Sequence, residues 1–232
     1  MERIKTGVTG LDELLGGGIP RGFVTAVVGG PGSGKSILAT QFLWKGIQDG
    51  EDVLYVLLSG ENNEVIRQAQ QFGWNLKDNP KFHLHIITQD DTEKLVSYIE
   101  DYCKKFNVRR VVLDSLSLYN TYRRARTNMV EMVARINLDA LAVAENRLVV
   151  NELRAIKDIT TLVIIEEFDG MPLEDKIFKF ACDGVLVLEL HDALNNRAIK
   201  IAKMRETRHP LNTHNIEIGD NGITVIGKKV TI

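Results

Sequence analysis

An eight-residue loop close to the N-terminus restricts the fold of this chain more than any other feature. Gly29-Gly30-Pro31-Gly32-Ser33-Gly34-Lys35-Ser36 fits the pattern G-x-x-x-x-G-K-[ST], and it stands between an apolar run of strand type, 23–28, and a helically spaced run, 35–48. Strand, glycine loop, helix is the setting in which this pattern, the Walker A motif, cradles phosphate. Gly29, Gly32 and Gly34 are expected to turn the backbone through unusual dihedrals and let it approach an anion closely. Backbone N–H groups then converge at the positive end of a helix. The candidate nucleotide-binding residues are therefore Gly30, Pro31, Gly32, Ser33, Gly34, Lys35, Ser36 and Ile37. Lys35 is expected to reach the β- and γ-phosphates, and the Ser36 hydroxyl to ligate Mg²⁺.

The rest of the chain alternates strands and helices. Strands are expected at 23–28, 53–58, 82–87, 110–114, 161–166, 184–190 and 198–204, with a short pair at 214–218 and 222–226. Helices are expected at 35–48, 63–72, 92–106, roughly 126–158, and 173–182. Apolar strands bounded by helices predict a parallel sheet covered on both faces. The last four strands have no helix between them, and Asp220-Asn221-Gly222 reads as a tight turn, so an antiparallel extension is expected at the C-terminal end. The expected fold class is α/β, one domain over 1–232. Ligands on such sheets bind at the carboxyl ends of strands, where the glycine loop lies.

Composition excludes little and directs less. With 29 Lys and Arg against 31 Asp and Glu, the net charge of -2 provides no global attraction for nucleic acid or an anionic membrane. No apolar stretch reaches the ~20 residues of a membrane span. Met1-Glu2-Arg3-Ile4-Lys5 has no apolar signal core. Cys103 and Cys182 are far apart and in no metal-type spacing, as expected for two reduced, structural thiols of a cytoplasmic protein.

A phosphate loop that uses Mg²⁺ needs an acidic residue at the end of a buried strand. Val111-Val112-Leu113-Asp114-Ser115 supplies one, which makes Asp114 the second candidate metal residue beside Ser36. The competing assignment for Asp114 is a helix cap.

Three segments together carry a family resemblance. The opening Thr6-Gly7-Val8-Thr9-Gly10-Leu11-Asp12-Glu13-Leu14-Leu15-Gly16-Gly17-Gly18-Ile19-Pro20-Arg21-Gly22 leads directly into the phosphate-loop strand. Ile66-Arg67-Gln68-Ala69 is followed by Phe72-Gly73-Trp74. Lys203-Met204-Arg205 precedes Thr207, Arg208 and His209. In this order, with the Walker A loop, the segments resemble the RecA-type P-loop ATPases of the KaiC and RadA branch over essentially the whole chain, 121–158 matching least. The resemblance implies a RecA-like ATPase core, ATP and Mg²⁺ as ligands, and assembly into a ring, six subunits in the KaiC case. It also implies that Lys203 and Arg205 are trans-acting cations that reach a neighbouring subunit's ATP, as an arginine finger does. Read from the residues alone, both are solvated positions on one face of an edge strand.

The chain departs from that family pattern in two places. The family carries a Glu-Glu pair at the end of its second strand, one of which orients or activates water. Here Ser59 and Gly60 stand at those positions in Val56-Leu57-Leu58-Ser59-Gly60-Glu61. Serine cannot accept a proton from water at neutral pH as a carboxylate does. Glu61 lies one residue further on and is the candidate replacement; with it hydrolysis proceeds, and without it hydrolysis is slow or absent, and both readings stay open. The second departure is Glu166-Glu167 after the strand at 161–166, where RecA-like proteins often carry a polar sensor. A carboxylate there repels γ-phosphate unless a cation intervenes. Glu166 either contacts metal, water or a cation, or points away as a structural residue, the second being the expectation.

Nucleic acid is a partner the residues leave open without favouring. Tyr119, Tyr122, Arg123, Arg124 and Arg126 form a stacking and phosphate-binding set in the first loop position that DNA-binding RecA proteins use. The second position, 166–175, is acidic and repels phosphate. Three functions follow. The favoured one is a KaiC-like regulatory ATPase whose homo-oligomer responds to ATP and ADP. The others are a RadA-paralogue repair accessory that binds single-stranded DNA, and a non-hydrolysing ATP-bound scaffold like the archaeal flagellar accessory ATPase.

Overall fold

The computed structural model describes residues 1–58, 62–119, 121, 138–167, 178–191 and 196–229. Ser59, Gly60 and Glu61, the arginines at 123, 124 and 126, and the acidic stretch from 168 lie outside them.

A short β1 (Arg3–Ile4) pairs antiparallel with β2 (Ile19–Pro20), flanking α1 (Leu11–Leu14). Next come β3 (Val24–Gly29), α2 (Lys35–Gln48), β4 (Asp52–Leu57), α3 (Asn62–Gln71) and β5 (Phe82–Ile86). A 3₁₀ turn over Gln89–Lys94 leads into α4 (Leu95–Phe106) and β6 (Val108–Asp114). Then α5 (Leu138–Ala155) precedes β7 (Thr160–Glu166), and the chain closes with β8 (Gly184–His191), β9 (Asn196–Met204), β10 (Thr213–Gly219) and β11 (Gly222–Lys229).

Nine strands form one sheet in the order β11-β10-β9-β8-β3-β7-β6-β4-β5. β3 to β8 are mutually parallel and β9, β10 and β11 are antiparallel, so the expected mixed sheet is what forms. β3 is central because all six of its residues are buried, a continuous apolar run that only a sheet covered on both faces can use. The two faces carry separate cores. On one, Leu38, Ala39, Phe42 and Leu43 of α2 and Leu11, Leu15 and Ile19 of the N-terminal segment pack on Val27, Tyr55, Val112, Leu162 and Ile164. On the other, Leu95, Ile99 and Cys103, spaced by four along α4, and Val149, Val150 and Leu153 of α5 pack on Val28, Leu54, Val111, Leu113, Val163 and Ile165.

The opening segment is structural. Asp12 accepts from the Thr6 amide and hydroxyl, and Arg3 donates to the Leu15 and Gly18 carbonyls and to Thr207. Its glycine-rich character thus serves to wrap a short β1–α1–β2 unit against the sheet. Among the described residues no helix is long and apolar enough to cross a membrane.

Candidate nucleotide site

The glycine loop joins the carboxyl end of β3 to the first turn of α2, as the motif requires. Gly32 and Gly34 take φ of 75° and 104°, values that side chains rarely adopt. Gly29 differs from expectation: it has no left-handed φ, and glycine is needed there because a Cβ would lie 2.4 Å from the Leu188 carbonyl oxygen of the neighbouring β8. The loop is braced from that same side, where Arg197 Nε donates to the Gly32 carbonyl at 2.9 Å.

Lys35 is buried and its Nζ donates to the Gly30 carbonyl at 2.9 Å. Burial lowers its proton affinity, and the charges of Glu166 and then Asp114 oppose that effect. Ser36 Oγ lies 3.3 Å from Asp114 Oδ2, so the two candidate metal residues meet. The sheet arranges this by placing β6 two strands from β3, with Asp114 at its carboxyl end on the face that α2 covers. The peptide between Asp114 and Ser115 is cis.

Two residues at this site carry no sequence motif. Tyr55, fully buried in β4, donates its phenol to Asp114 Oδ2 at 2.6 Å. Burial first, and then the Asp114 charge, push the phenol far up, so it remains a donor. Enclosure raises Asp114 itself above the usual carboxylate range against the two hydroxyl donors. The second is Ser117, whose Oγ accepts from the Glu166 amide at 3.0 Å.

Alternation along β7 puts Glu166 on the α2 face of the sheet, with Leu162 and Ile164. Its charge acts on both Lys35 and Asp114, its side chain is exposed, and it ends β7 level with Gly29. Glu167 is the structural member of the pair, held by Lys179 at 2.6 Å.

Lys203 and Arg205 are at the other end of the sheet. Met204 is level with Gly184, while Gly29 is level with Leu188, a separation along the strands of about 13 Å. Lys203 Nζ donates to the Phe180 and Cys182 carbonyls, and Arg205 pairs with Asp183 at 2.9 Å. They are thus far from the loop of their own chain. Tyr119, assigned above to a stacking surface, is 5% exposed and packs in the core on the α4 side, so it offers no face to a base.

A family model described as ATPase: KaiC matches residues 4–230. The chain belongs to the KaiC family. It is 30% identical to a UPF0273 protein of Pyrococcus furiosus over 257 aligned positions, which cover 99% of this chain and 96% of that one. A UPF0273 protein of Saccharolobus solfataricus is 31% identical, with 97% and 83% covered. A crystal structure of a KaiC-like protein of Pyrococcus horikoshii superposes with a TM-score of 0.78 at 28% identity and covers 97% of this chain and 99% of that one. This KaiC relative is therefore a RecA-superfamily P-loop protein with an antiparallel C-terminal extension. The described residues fit the ligands of that family: a glycine loop at the N-terminus of α2, a buried ammonium, and a hydroxyl beside an enclosed carboxylate.

Proposed function

We propose that this chain binds Mg²⁺·ATP at residues 29–36 and hydrolyses it within a homo-oligomer whose assembly depends on the nucleotide. One observation supports this most: Lys35, Ser36 and Asp114, 78 residues apart in the last two cases, converge at the carboxyl ends of β3 and β6. Backbone amides of the loop hold the phosphates and Lys35 neutralises them. Mg²⁺, when bound, would be held by Ser36 and Asp114 and would supply positive charge against the phosphates. The Ser36 hydroxyl donates a hydrogen bond to Asp114 Oδ2, which would leave its oxygen lone pairs free for the metal, while Tyr55 keeps the same carboxylate oxygen from turning.

The placement of Lys203 and Arg205 supports a role in trans. Any contact they make with a triphosphate is with one bound to a neighbouring subunit, because their own lies about 13 Å away along the sheet. A nucleotide bridging two chains in this way links its hydrolysis to assembly, which is the basis for a regulatory role. Single-stranded DNA binding has no support among the described residues once Tyr119 is in the core.

ATP turnover per subunit with Mg²⁺, measured with oligomer size for the parent, Lys35→Ala and Ser59→Glu, tests the proposal. Turnover that disappears in Lys35→Ala supports it. Tight ATP binding without turnover, with activity gained in Ser59→Glu, would instead make the protein a nucleotide-stabilised scaffold.

A further inference from the structure

The KaiC family's water-activating pair is replaced here by Ser59 and Gly60, yet a different carboxylate stands at the loop. We infer that Glu166 takes the proton of the attacking water, from the end of β7. The inference rests on reading residues 29–36 as a Mg²⁺·ATP site.

Sheet order places it. β7 lies beside β3, between the phosphate-loop strand and β6. At about 4.8 Å per strand, the end of β7 is roughly 5 Å from the start of the loop. Register places it along the axis: Glu166 is level with Gly29, and two residues beyond the level of Asp114, since Leu113 is level with Val163.

Strand alternation decides the face. Leu162 and Ile164 pack with α2, and Val163 and Ile165 with α4 and α5, so Glu166 falls on the α2 side with Lys35, Ser36 and Asp114. Its main chain is fixed by the hydrogen bond its amide donates to Ser117 Oγ, and the following residue by the Glu167 amide, which donates to the Gly29 carbonyl at 3.0 Å. No described residue donates a hydrogen bond to the Glu166 carboxylate, while that of Glu167 is taken by Lys179. An exposed carboxylate without a donor, on a fixed backbone beside a phosphate loop, suits water and not a buried ion pair. Repulsion toward γ-phosphate is offset by Lys35 and by Mg²⁺.

The step balances. The water oxygen bonds to the γ-phosphorus as Glu166 accepts one water proton. The bond from that phosphorus to the β–γ bridging oxygen breaks, and ADP leaves with the electron pair. The proton on Glu166 then passes to inorganic phosphate or solvent.

The test compares the parent, Glu166→Gln and Glu61→Gln by single-turnover hydrolysis, by calorimetric affinity for Mg²⁺·ATP and Mg²⁺·ADP, and by thermal unfolding. Glu166→Gln is expected to slow hydrolysis about a hundredfold, as loss of a general base does. It should unfold like the parent, and should raise the preference for ATP over ADP several-fold, because a negative charge facing the γ-phosphate is gone. Unchanged hydrolysis or an unchanged ATP-to-ADP preference in Glu166→Gln would overturn the inference, as would loss of hydrolysis in Glu61→Gln alone. A parent that binds Mg²⁺·ATP without hydrolysing it overturns the role of Glu166 and leaves the binding site standing. A parent that does not bind Mg²⁺·ATP overturns both.

Discussion

The two ends of the central parallel sheet each hold an enclosed carboxylate, and they treat it in opposite ways. At the amino end Asp183, 4% exposed, accepts two bonds from Arg154, one from Arg205 and one from the Val24 amide. Its charge is matched by two guanidinium groups. At the carboxyl end Asp114 accepts from two neutral hydroxyls, those of Tyr55 and Ser36, on a single oxygen. Its geometry is fixed, but among the described residues no cation cancels its charge at contact distance, and its proton affinity rises. A carboxylate satisfied by cations is a rivet. One oriented by neutral donors remains an attractive partner for an incoming cation, and here it stands beside a phosphate loop.

This contrast can be broken most directly at Asp183. Asp183→Asn leaves Arg154 and Arg205 without their shared anion. Because these side chains are 35% and 49% exposed, the loss should sit below the range for fully buried pairs, at roughly 2–3 kcal/mol. Urea unfolding measures it; an unchanged midpoint would remove Asp183 from the structural class. Tyr55→Phe should act next most strongly and in a different observable. Losing one donor to a charged group is worth about 1–2 kcal/mol, so the Mg²⁺ concentration that half-saturates ATP binding should rise about tenfold. A loss of stability with an unmoved Mg²⁺ requirement would reduce Tyr55 to packing.

The smallest effect is a dependence on pH. Asp114 is raised in the native state, so between its ordinary value and the raised one the folded protein binds more protons than the unfolded chain. Without ligand, the Asp114 contribution to stability should therefore fall as pH rises through that window and stay level above it. The difference in stability between the parent and Asp114→Asn, followed against pH without nucleotide, isolates this term. A difference that stays flat through the window would show that the carboxylate is not penalised by its surroundings.

What the sequence disclosed and what it hid follow the same physical divide. Lys35–Gln48 emerges as a helix with the expected bounds, because glycine punctuation and helical spacing are both local. The parallel core and antiparallel end were also legible, since strands without intervening helices can hardly pair otherwise. The expected helix at 92–106 takes in only the end of the 3₁₀ turn at Gln89–Lys94, whose polar residues have no apolar period to announce it. The two-residue β1 and β2 are too short to show alternation.

At the site, Asp114 could be found because its type and its strand-end position both carry chemistry. Tyr55 could not, since an aromatic residue inside an apolar strand looks like core filler and only the β4–β6 pairing gives its hydroxyl a partner. Arg110 was hidden likewise. It reads as a charge at a strand start, yet it is 2% exposed, pairs with Asp49 and Glu51, and donates to the Lys5 and Phe42 carbonyls. Glu166 was visible by type, while the face it occupies depends on where β7 is inserted in the sheet.

Calorimetric titration of ATP with Mg²⁺ and with chelator, on the parent and on Asp114→Asn, tests the central contrast most directly. Mg²⁺ should tighten ATP binding to the parent by at least tenfold, and Asp114→Asn should lose that gain while still folding, as expected when an uncancelled carboxylate is what receives the cation. Equal affinities with and without Mg²⁺ in the parent, or a full Mg²⁺ gain in Asp114→Asn, would contradict it.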